Sequence, residues 1–358
     1  MQLIIGTYTE RLPFVDGQAD GVLLAGFDPA SGRFGEVRTL AAARNPSYLA
    51  VSPTRRRVYV VCESETFESQ QGGGVIAFAR HAGTGELTRL NARPTVGVSP
   101  CHVALVRGGR FAVTANYGGD PGEAGSVTVC PVAADGGLGD VADHVVHPGS
   151  GPNAERQVGS HAHMSATDPE TGHILVTDLG ADTIFVYEMG PAGRLTLRQE
   201  LKAEPGAGPR HMAFHPDGRH LFVVNELAST VSVCRRSATG FATVASASTL
   251  PADADGDNLP AAIRISPSGR HVLVSNRGHD SIAVFRFDPS ASGLRLVGMT
   301  PTEGECPRDF ILTPDGHRLV AASQDSGLLA SYEFDDAAGT LRLLHRAAAP
   351  TPVCLALA

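Results

Sequence analysis

Groups able to exchange protons or bind an anion recur at corresponding positions along this chain of 358 residues. Imidazole and carboxylate groups transfer protons near neutral pH when their pKa values are tuned, and the planar guanidinium of arginine binds carboxylate or phosphate. Together these groups favour acid–base chemistry on a small anionic substrate. The candidate residues are Glu63, His102, Tyr117, His161, His163, Arg210, His211, Glu226, Arg277, Arg308 and Gln324.

A repeated unit sets the positions of these residues. Each unit begins with an alternating run, continues through a turn of the Pro-Asp-Gly-Arg kind into a strongly apolar run, and ends with a third alternating run. Runs of about 5–8 such residues predict strands, not helices. The units recur at roughly 50-residue intervals, the period of propeller blades with insertions. The six starts are Pro46, Pro100, His161, Pro209, Pro260 and Pro307.

The two ends of the chain supply a seventh unit. Residues 352–358 resemble a first strand, and residues 3–8 and 21–27 resemble a second and a third strand. Pairing these segments would complete a blade and remove two exposed sheet edges. The sequence therefore predicts a single all-β domain over residues 1–358. Its fold class is a seven-bladed β-propeller with four antiparallel strands per blade, the last blade closed by the N- and C-terminal strands.

The candidate residues are predicted to share one face of the propeller. First strands begin, and second strands end, at what we call the top face. The long connections at residues 9–20, 64–73, 118–125 and 139–160 also reach this face, as expected of loops that carry binding. The third residues of the first strands are Tyr48, His102, His163, His211, Ala262, Asp309 and Cys354. Because these residues differ from blade to blade, they predict one asymmetric site at the mouth of the central channel.

Several polar residues have structural interpretations instead. A histidine near a strand start commonly makes a structural hydrogen bond, and Glu63 could serve in either way. His161 and His163 lie on one face, as in some metal sites, but the motif offers no third ligand, so no metal is predicted. Turn or inter-blade hydrogen bonding is expected of Asn116, Asp178, Asn225 and Asn276.

Charge and cysteine content narrow the classes of function. The 29 Lys and Arg residues against 37 Asp and Glu residues give a net charge of −8, which argues against a general nucleic-acid or membrane-surface binder. No apolar run approaches the length of a membrane span, and residues 1–10 lack the features of a signal peptide. The six cysteines form no C-x-x-C pair. We expect free thiols and a cytoplasmic location.

Eight short motifs occur in order with propeller spacing: Ile5-Gly-Thr-Tyr-Thr, Asn45-Pro-Ser-Tyr-Leu, Ala115-Asn-Tyr-Gly, His161-Ala-His-Met, Asp178-Leu-Gly-Ala-Asp, Gly208-Pro-Arg-His, Val224-Asn-Glu-Leu and Ser275-Asn-Arg-Gly. They resemble the propeller-type 6-phosphogluconolactonases, whose lactonase family also contains the fungal carboxymuconate lactonizing enzymes. The resemblance extends from Gly6 to about Gly339. Two departures are Ser160, where family members often have Pro, and an insertion around residues 19–21.

The resemblance implies hydrolysis of a sugar lactone, most simply 6-phosphoglucono-δ-lactone, to its acid without a cofactor. The family's proposed His, two Arg and Glu fall on His163, Arg210, Arg277 and Glu226. Glu226 or His163 would be the general base, and the two arginines would bind the phosphate or stabilise the oxyanion. Contacts to the substrate are expected from His102, His161, His211, Arg308, Tyr117, Gln324 and Glu63.

Three alternatives remain open from the sequence. The same groups could lactonize an unsaturated dicarboxylic acid, with the arginines on its carboxylates. A metal-dependent lactonase would lose activity with a chelator. A non-catalytic propeller used as an interaction platform would keep its function after Glu226→Gln, because proteins can retain a fold after losing its catalytic activity.

Overall fold

The computed structural model describes residues 1–119 and 124–358 and confirms the predicted seven-bladed β-propeller. Each blade is a four-stranded antiparallel sheet, numbered here from the blade that joins the chain ends. First strands of neighbouring blades pack against one another around the channel, and that of blade 1 contacts those of blades 2 and 7. The ring is therefore closed.

The strands of each blade run outward from the channel. Blade 1 comprises Pro352–Leu357, Gln2–Thr7, Gly21–Asp28 and Arg33–Ala42. Blade 2 comprises Leu49–Val51, Arg57–Cys62, Gly74–Arg80 and Leu87–Pro94, and blade 3 comprises Pro100–Val106, Phe111–Asn116, Ser126–Pro131 and Asp143–Val146. Blade 4 comprises Ala162–Thr167, Ile174–Asp178, Thr183–Met189 and Leu195–Lys202. Blade 5 comprises Pro209–Phe214, His220–Asn225, Thr230–Ser237 and Gly240–Ser248; blade 6 comprises Leu259–Ile265, His271–Arg277, Ser281–Asp288 and Gly293–Pro301; blade 7 comprises Pro307–Leu312, Arg318–Ser323, Leu328–Asp335 and Thr340–Ala348. A 3₁₀ turn spans Arg107–Gly109.

Hydrophobic pattern explains the order of strands within a blade. The second strand of blade 5 is apolar throughout except at its ends, and all six of its residues are buried. In the fourth strand, Gly240–Ser248, every residue except Phe241 is exposed or partly buried, as expected of a solvent-facing edge. Apolar side chains of adjacent blades interlock, as Phe222 and Val233 do with Ile263 and Phe285.

Blade 1 closes as predicted. Ile5 pairs with Leu355 on one side and with Leu23 on the other, so the C-terminal strand completes the sheet begun by the N-terminal strand. This pairing satisfies backbone groups that two open sheet edges would otherwise expose.

The recurrent polar residues at the ends of second strands make the structural hydrogen bonds predicted for them. The Asn225 side-chain amide donates to Thr230 Oγ1 at 2.9 Å and to Ser232 Oγ at 2.8 Å. Asp178 Oδ2 lies 2.7 Å from His147 Nδ1. These contacts fix the top ends of the second strands, where the candidate site begins.

The top connections are long, and two of them contain short β-ribbons. Arg11–Leu12 pairs with Val15–Asp16, and Thr66–Phe67 pairs with Gln70–Gln71. The predicted loop at residues 118–125 lies partly outside the described residues. Within residues 1–119 and 124–358, no helix has the length and apolar character needed to cross a membrane.

Candidate active site

A β-bulge near the top of the first strand aims one residue into the channel mouth in each of blades 3, 4, 5 and 7. In blade 5, Pro209 pairs with Asn225 and His211 pairs with Val224, so Arg210 is the extra residue. A bulge turns a side chain out of the normal alternation of a strand. The same shift isolates Cys101, His163 and Arg308 in blades 3, 4 and 7. With Arg210, they line one small cavity of about 10 Å³.

This bulge corrects the register predicted for blade 4. Ala162 pairs with Asp178 in the way that Pro209 pairs with Asn225, so the unit begins at Ala162 and not at His161. The prediction that His163 holds the third position of its strand is therefore wrong by one residue, and Met164 holds it. His163 instead corresponds to Arg210, which explains why both line the same cavity.

Glu226 follows the second strand of blade 5 and binds both predicted arginines. Arg210 Nε lies 2.9 Å and Arg277 Nη2 lies 2.6 Å from Glu226 Oε2. Each guanidinium is also fixed by the backbone: Arg210 donates to the Ala261 carbonyl at 2.8 Å and Arg277 to the Leu259 carbonyl at 2.9 Å. Burial opposes ionisation of Glu226, but the positive charges of Arg277 and Arg210 outweigh it and hold its pKa well below the usual value. Glu226 is therefore a carboxylate at neutral pH.

Arg156 supplies a third guanidinium to Glu226 and was not predicted from the sequence. Its Nη2 donates to Glu226 Oε1 at 2.8 Å and to the Tyr117 hydroxyl at 3.2 Å. Its side chain is 37% exposed, whereas that of Arg210 is 3% exposed. The connection predicted at residues 139–160 contains the fourth strand of blade 3, Asp143–Val146, so its irregular part begins at residue 147. Arg156 lies in that part, where no repeat sets a register. The length of that connection was the one available signal.

Glu63 is a second carboxyl group, partly buried, that faces the mouth from blade 2. Its Oε2 accepts hydrogen bonds from the Tyr8 hydroxyl at 2.9 Å and from the Ser47 hydroxyl. Arg308 donates to the Tyr8 hydroxyl at 3.2 Å and to Gln324 Oε1 at 3.4 Å. Burial raises the pKa of Glu63 above its usual value, although Arg308 acts in the opposite direction.

Three buried histidines lie near these groups and are neutral at pH 7. Burial lowers the pKa of His163 and of His211 well below the ordinary value, and the positive charge of Arg210 adds to this shift. Burial, reinforced by Arg264, lowers the pKa of His102 to about 3. Among the described residues, His163 Nδ1 has no hydrogen-bond partner. Both ring nitrogens of His211 also lack a partner there, and an unpartnered nitrogen of a neutral imidazole is the kind of group that general-base chemistry requires.

His161 does not join His163 as a second imidazole ligand. Its Nδ1 lies 2.8 Å from the Tyr117 carbonyl oxygen, and its ring stacks on Tyr117 with centroids 4.2 Å apart. Across residues 1–119 and 124–358, the one three-residue group with metal-ligand spacing is His215, Asp217 and His220, at the bottom turn of blade 5. Their imidazoles already contact the Asp217 carboxylate.

The geometry suits addition of water to an anionic ester. Guanidiniums fixed by the backbone can bind negative charge in the substrate or oppose charge that develops on a carbonyl oxygen, and a neutral imidazole stands beside them. The class of protein that this fold and site define is a β-propeller ester hydrolase.

Known proteins make the assignment more specific. The chain belongs to the family described as "Lactonase, 7-bladed beta-propeller", whose model matches residues 2–357. It is 35% identical over 309 residues to the 6-phosphogluconolactonase of Bacillus subtilis, covering 86% of this chain and 83% of that protein. It is 29% identical over 316 residues to the 6-phosphogluconolactonase of Formosa agariphila, covering 87% and 86%. The solved structure of a periplasmic gluconolactonase from Pseudomonas aeruginosa matches with a TM-score of 0.91 at 31% identity, covering 99% and 98%. The predicted family and lactone-hydrolysing activity are confirmed.

Proposed function

We propose that this lactonase hydrolyses 6-phosphoglucono-δ-lactone to 6-phosphogluconate. The observation that carries the proposal is the group of guanidiniums around Glu226, beside the neutral His163. Three arginines against one carboxylate leave positive charge for an anionic sugar lactone. The names of the Bacillus and Formosa relatives support the phosphorylated lactone as substrate.

In the proposed reaction, His163 takes a proton from a water molecule as its oxygen bonds to the lactone carbonyl carbon. The carbonyl electron pair moves onto its oxygen, and the guanidiniums oppose the charge that forms there. The tetrahedral intermediate then collapses, and the bond from carbon to the ring oxygen breaks. The proton held by His163 passes to that oxygen, which gives the open hydroxy acid.

His163 is a better general base than Glu226. The three guanidiniums occupy the oxygens of Glu226 and make it a weak base, so its role is to hold the arginines in position. The pKa of His163 is also low without substrate, through burial and then through Arg210. A bound phosphate would offset that positive charge and raise the pKa of His163 towards the range where a general base works well.

The test is the rate of hydrolysis of freshly generated 6-phosphoglucono-δ-lactone, with spontaneous opening subtracted. We expect wild-type protein to accelerate the reaction and His163→Gln to lose about 10²- to 10⁴-fold in kcat, the usual contribution of a general base. The matched control, His81→Gln, changes an exposed histidine far from the mouth and should retain full activity. Activity only on an unsaturated dicarboxylic acid, or loss of activity with a chelator, would contradict the proposal.

We also infer a cytoplasmic location and a role in the pentose phosphate pathway. All six cysteines are free, five of them buried, and unpaired thiols are typical of reducing compartments. The Pseudomonas relative is periplasmic, so cell fractionation with an antibody to this protein is the direct test. Recovery in a periplasmic fraction would contradict the location.

A further inference from the structure

The three arginines on Glu226 are not held in the same way. Arg210 and Arg277 each donate to a backbone carbonyl as well as contacting the carboxylate. The Arg156 guanidinium donates hydrogen bonds to two side-chain groups, the Glu226 carboxylate and the Tyr117 hydroxyl. Arg156 is also the most exposed of the three, at 37%. Its guanidinium can therefore leave Glu226 without breaking a contact to the backbone.

The backbone beneath Arg156, in contrast, is firmly anchored. Gln157 is fully buried, and its Nε2 donates to the Leu179 carbonyl and to Asp182 Oδ1, both at 2.8 Å. Asn153 Oδ1 accepts the Arg156 N–H at 3.0 Å. The chain thus holds the Cα of Arg156 beside the mouth while its long side chain retains a choice of partner.

Charge indicates which ligand would draw Arg156 away. Arg156, Arg210 and Arg277 carry three positive charges against the single negative charge of Glu226. A phosphate monoester carries about −1.5 to −2 charges at pH 7 and offers three acceptor oxygens. Its charge matches the excess, and the planar fork of arginine suits two of its oxygens.

We propose that Arg156 selects phosphorylated lactones: its guanidinium moves from Glu226 to the phosphate of the substrate, together with the Tyr117 hydroxyl. Arg210 and Arg277 then remain at Glu226, where they oppose the charge on the reacting carbonyl. This inference rests on the proposed function, and it separates the phosphate-binding arginine from the pair that serves the reaction.

The experiment compares kcat/KM for 6-phosphoglucono-δ-lactone with that for uncharged glucono-δ-lactone. In Arg156→Gln, we expect the ratio of the two values to fall by about 10- to 100-fold, mainly through KM for the phosphorylated substrate, because a charge-assisted bidentate contact is lost. Arg156→Lys should retain part of the ratio, since a point charge replaces the fork. The control, Arg198→Gln, removes an exposed arginine paired with Glu188 on the outer strand of blade 4 and should leave the ratio unchanged.

Two further outcomes separate the possible failures. If Arg156→Gln lowers kcat/KM equally for both lactones, Arg156 acts by positioning Glu226, and the inference is overturned while the proposed function stands. If wild-type protein does not accelerate opening of the phosphorylated lactone, both fail. Inorganic phosphate gives a measurement without turnover: its inhibition constant should rise about tenfold in Arg156→Gln, and an unchanged constant would overturn the inference.

Discussion

Glu63 and Glu226 face the same channel mouth from blades 2 and 5, yet their ionisation is shifted in opposite directions. Glu226 is buried and Glu63 is partly buried, and burial alone raises the pKa of a carboxyl group. Glu226 is bound by three guanidiniums, and its pKa is lowered. Glu63 is bound by two hydroxyl groups, and its pKa is raised. Direct guanidinium contact, and not depth of burial, therefore determines which carboxyl group carries a fixed charge.

Arg308 shows how the difference arises. It reaches the Glu63 side of the mouth, but it donates hydrogen bonds to the Tyr8 hydroxyl and to Gln324. Tyr8 therefore stands between Arg308 and Glu63 in the hydrogen-bond chain. One half of the mouth holds a permanent carboxylate with surplus positive charge, and the other half holds a carboxyl group that can take up a proton more readily.

The largest effect is expected from Glu226→Gln, which removes the charge that pairs with the buried Arg210. We expect kcat/KM to fall by about 10²- to 10³-fold because the guanidiniums lose their alignment. The free energy of unfolding should fall by about 3–5 kcal/mol, the usual result of leaving a buried charge unpaired. Lactone hydrolysis and urea denaturation measure the two effects. Glu188→Gln, at an exposed ion pair, is the control, and a loss below tenfold in activity would contradict the role given to Glu226.

Acid should destabilise the protein through the histidines of blades 3 and 4, which lie between the two carboxyl groups. Folded His102 has a pKa of about 3, whereas the unfolded residue takes up a proton near pH 6.5. Its contribution to stability is therefore complete above about pH 6.5 and is lost as pH falls, at about 1.4 kcal/mol per pH unit. Between pH 7.5 and pH 5.5, the free energy of unfolding should fall less for His102→Gln than for wild type. Equal losses of stability in the two proteins would contradict this role of His102.

Tyr8→Phe should widen the difference between the two carboxyl groups. The Tyr8 hydroxyl donates to the Glu63 carboxylate and lowers its pKa, so we expect the variant to lose about 1 kcal/mol in unfolding free energy and the Glu63 pKa to rise further. Urea denaturation gives the first value, and a titration of Glu63 by carboxyl NMR gives the second. A Glu63 pKa that falls instead would mean that Arg308 moves into direct contact with the Glu63 carboxylate.

The smallest effect on stability is expected from Glu63→Gln. The informative result is the direction in which the melting temperature of the variant, relative to wild type, changes with pH. Because the folded pKa of Glu63 is raised, its ionisation costs stability as pH rises above the ordinary glutamate value. Gln does not ionise, so the melting temperature of the variant should gain on wild type from about pH 4 to about pH 7. For Glu226→Gln the pH-dependent difference should lie below about pH 4.5, where wild type loses stability relative to the variant as pH falls, because the folded pKa of Glu226 is lowered. Parallel trends would remove the contrast between the two residues.

The sequence was informative wherever a repeat set the register. Strand alternation and the recurrent turns predicted all seven blades, and the ends of second strands predicted the positions of Glu63, Glu226 and Arg277. In blade 4, however, a Pro is absent from the start of the unit, and the bulge at His163 cannot be seen in the pattern of residue types. The resulting error was one residue.

Arg156 could not be predicted for a different reason. Its position depends on side-chain contacts within an irregular connection, chiefly those of Gln157 and Asn153. No periodicity links such contacts to the blades. The opposite pKa shifts of Glu63 and Glu226 could not be predicted from the sequence either, because they depend on which hydroxyl or guanidinium group lies nearest to each carboxyl group.

The closure of blade 1 ties the site to the order of protein synthesis. Pro352–Leu357 leaves the ribosome after all the other inner strands, although it pairs with Gln2–Thr7, which leaves first. Until then blade 1 has an open edge, and Asp309 lacks the Leu355 N–H that it accepts at 2.9 Å. The ring therefore cannot close until the last strand has been made. A nascent chain, or one truncated before residue 352, would therefore hold most of the site's residues without a closed mouth to align them.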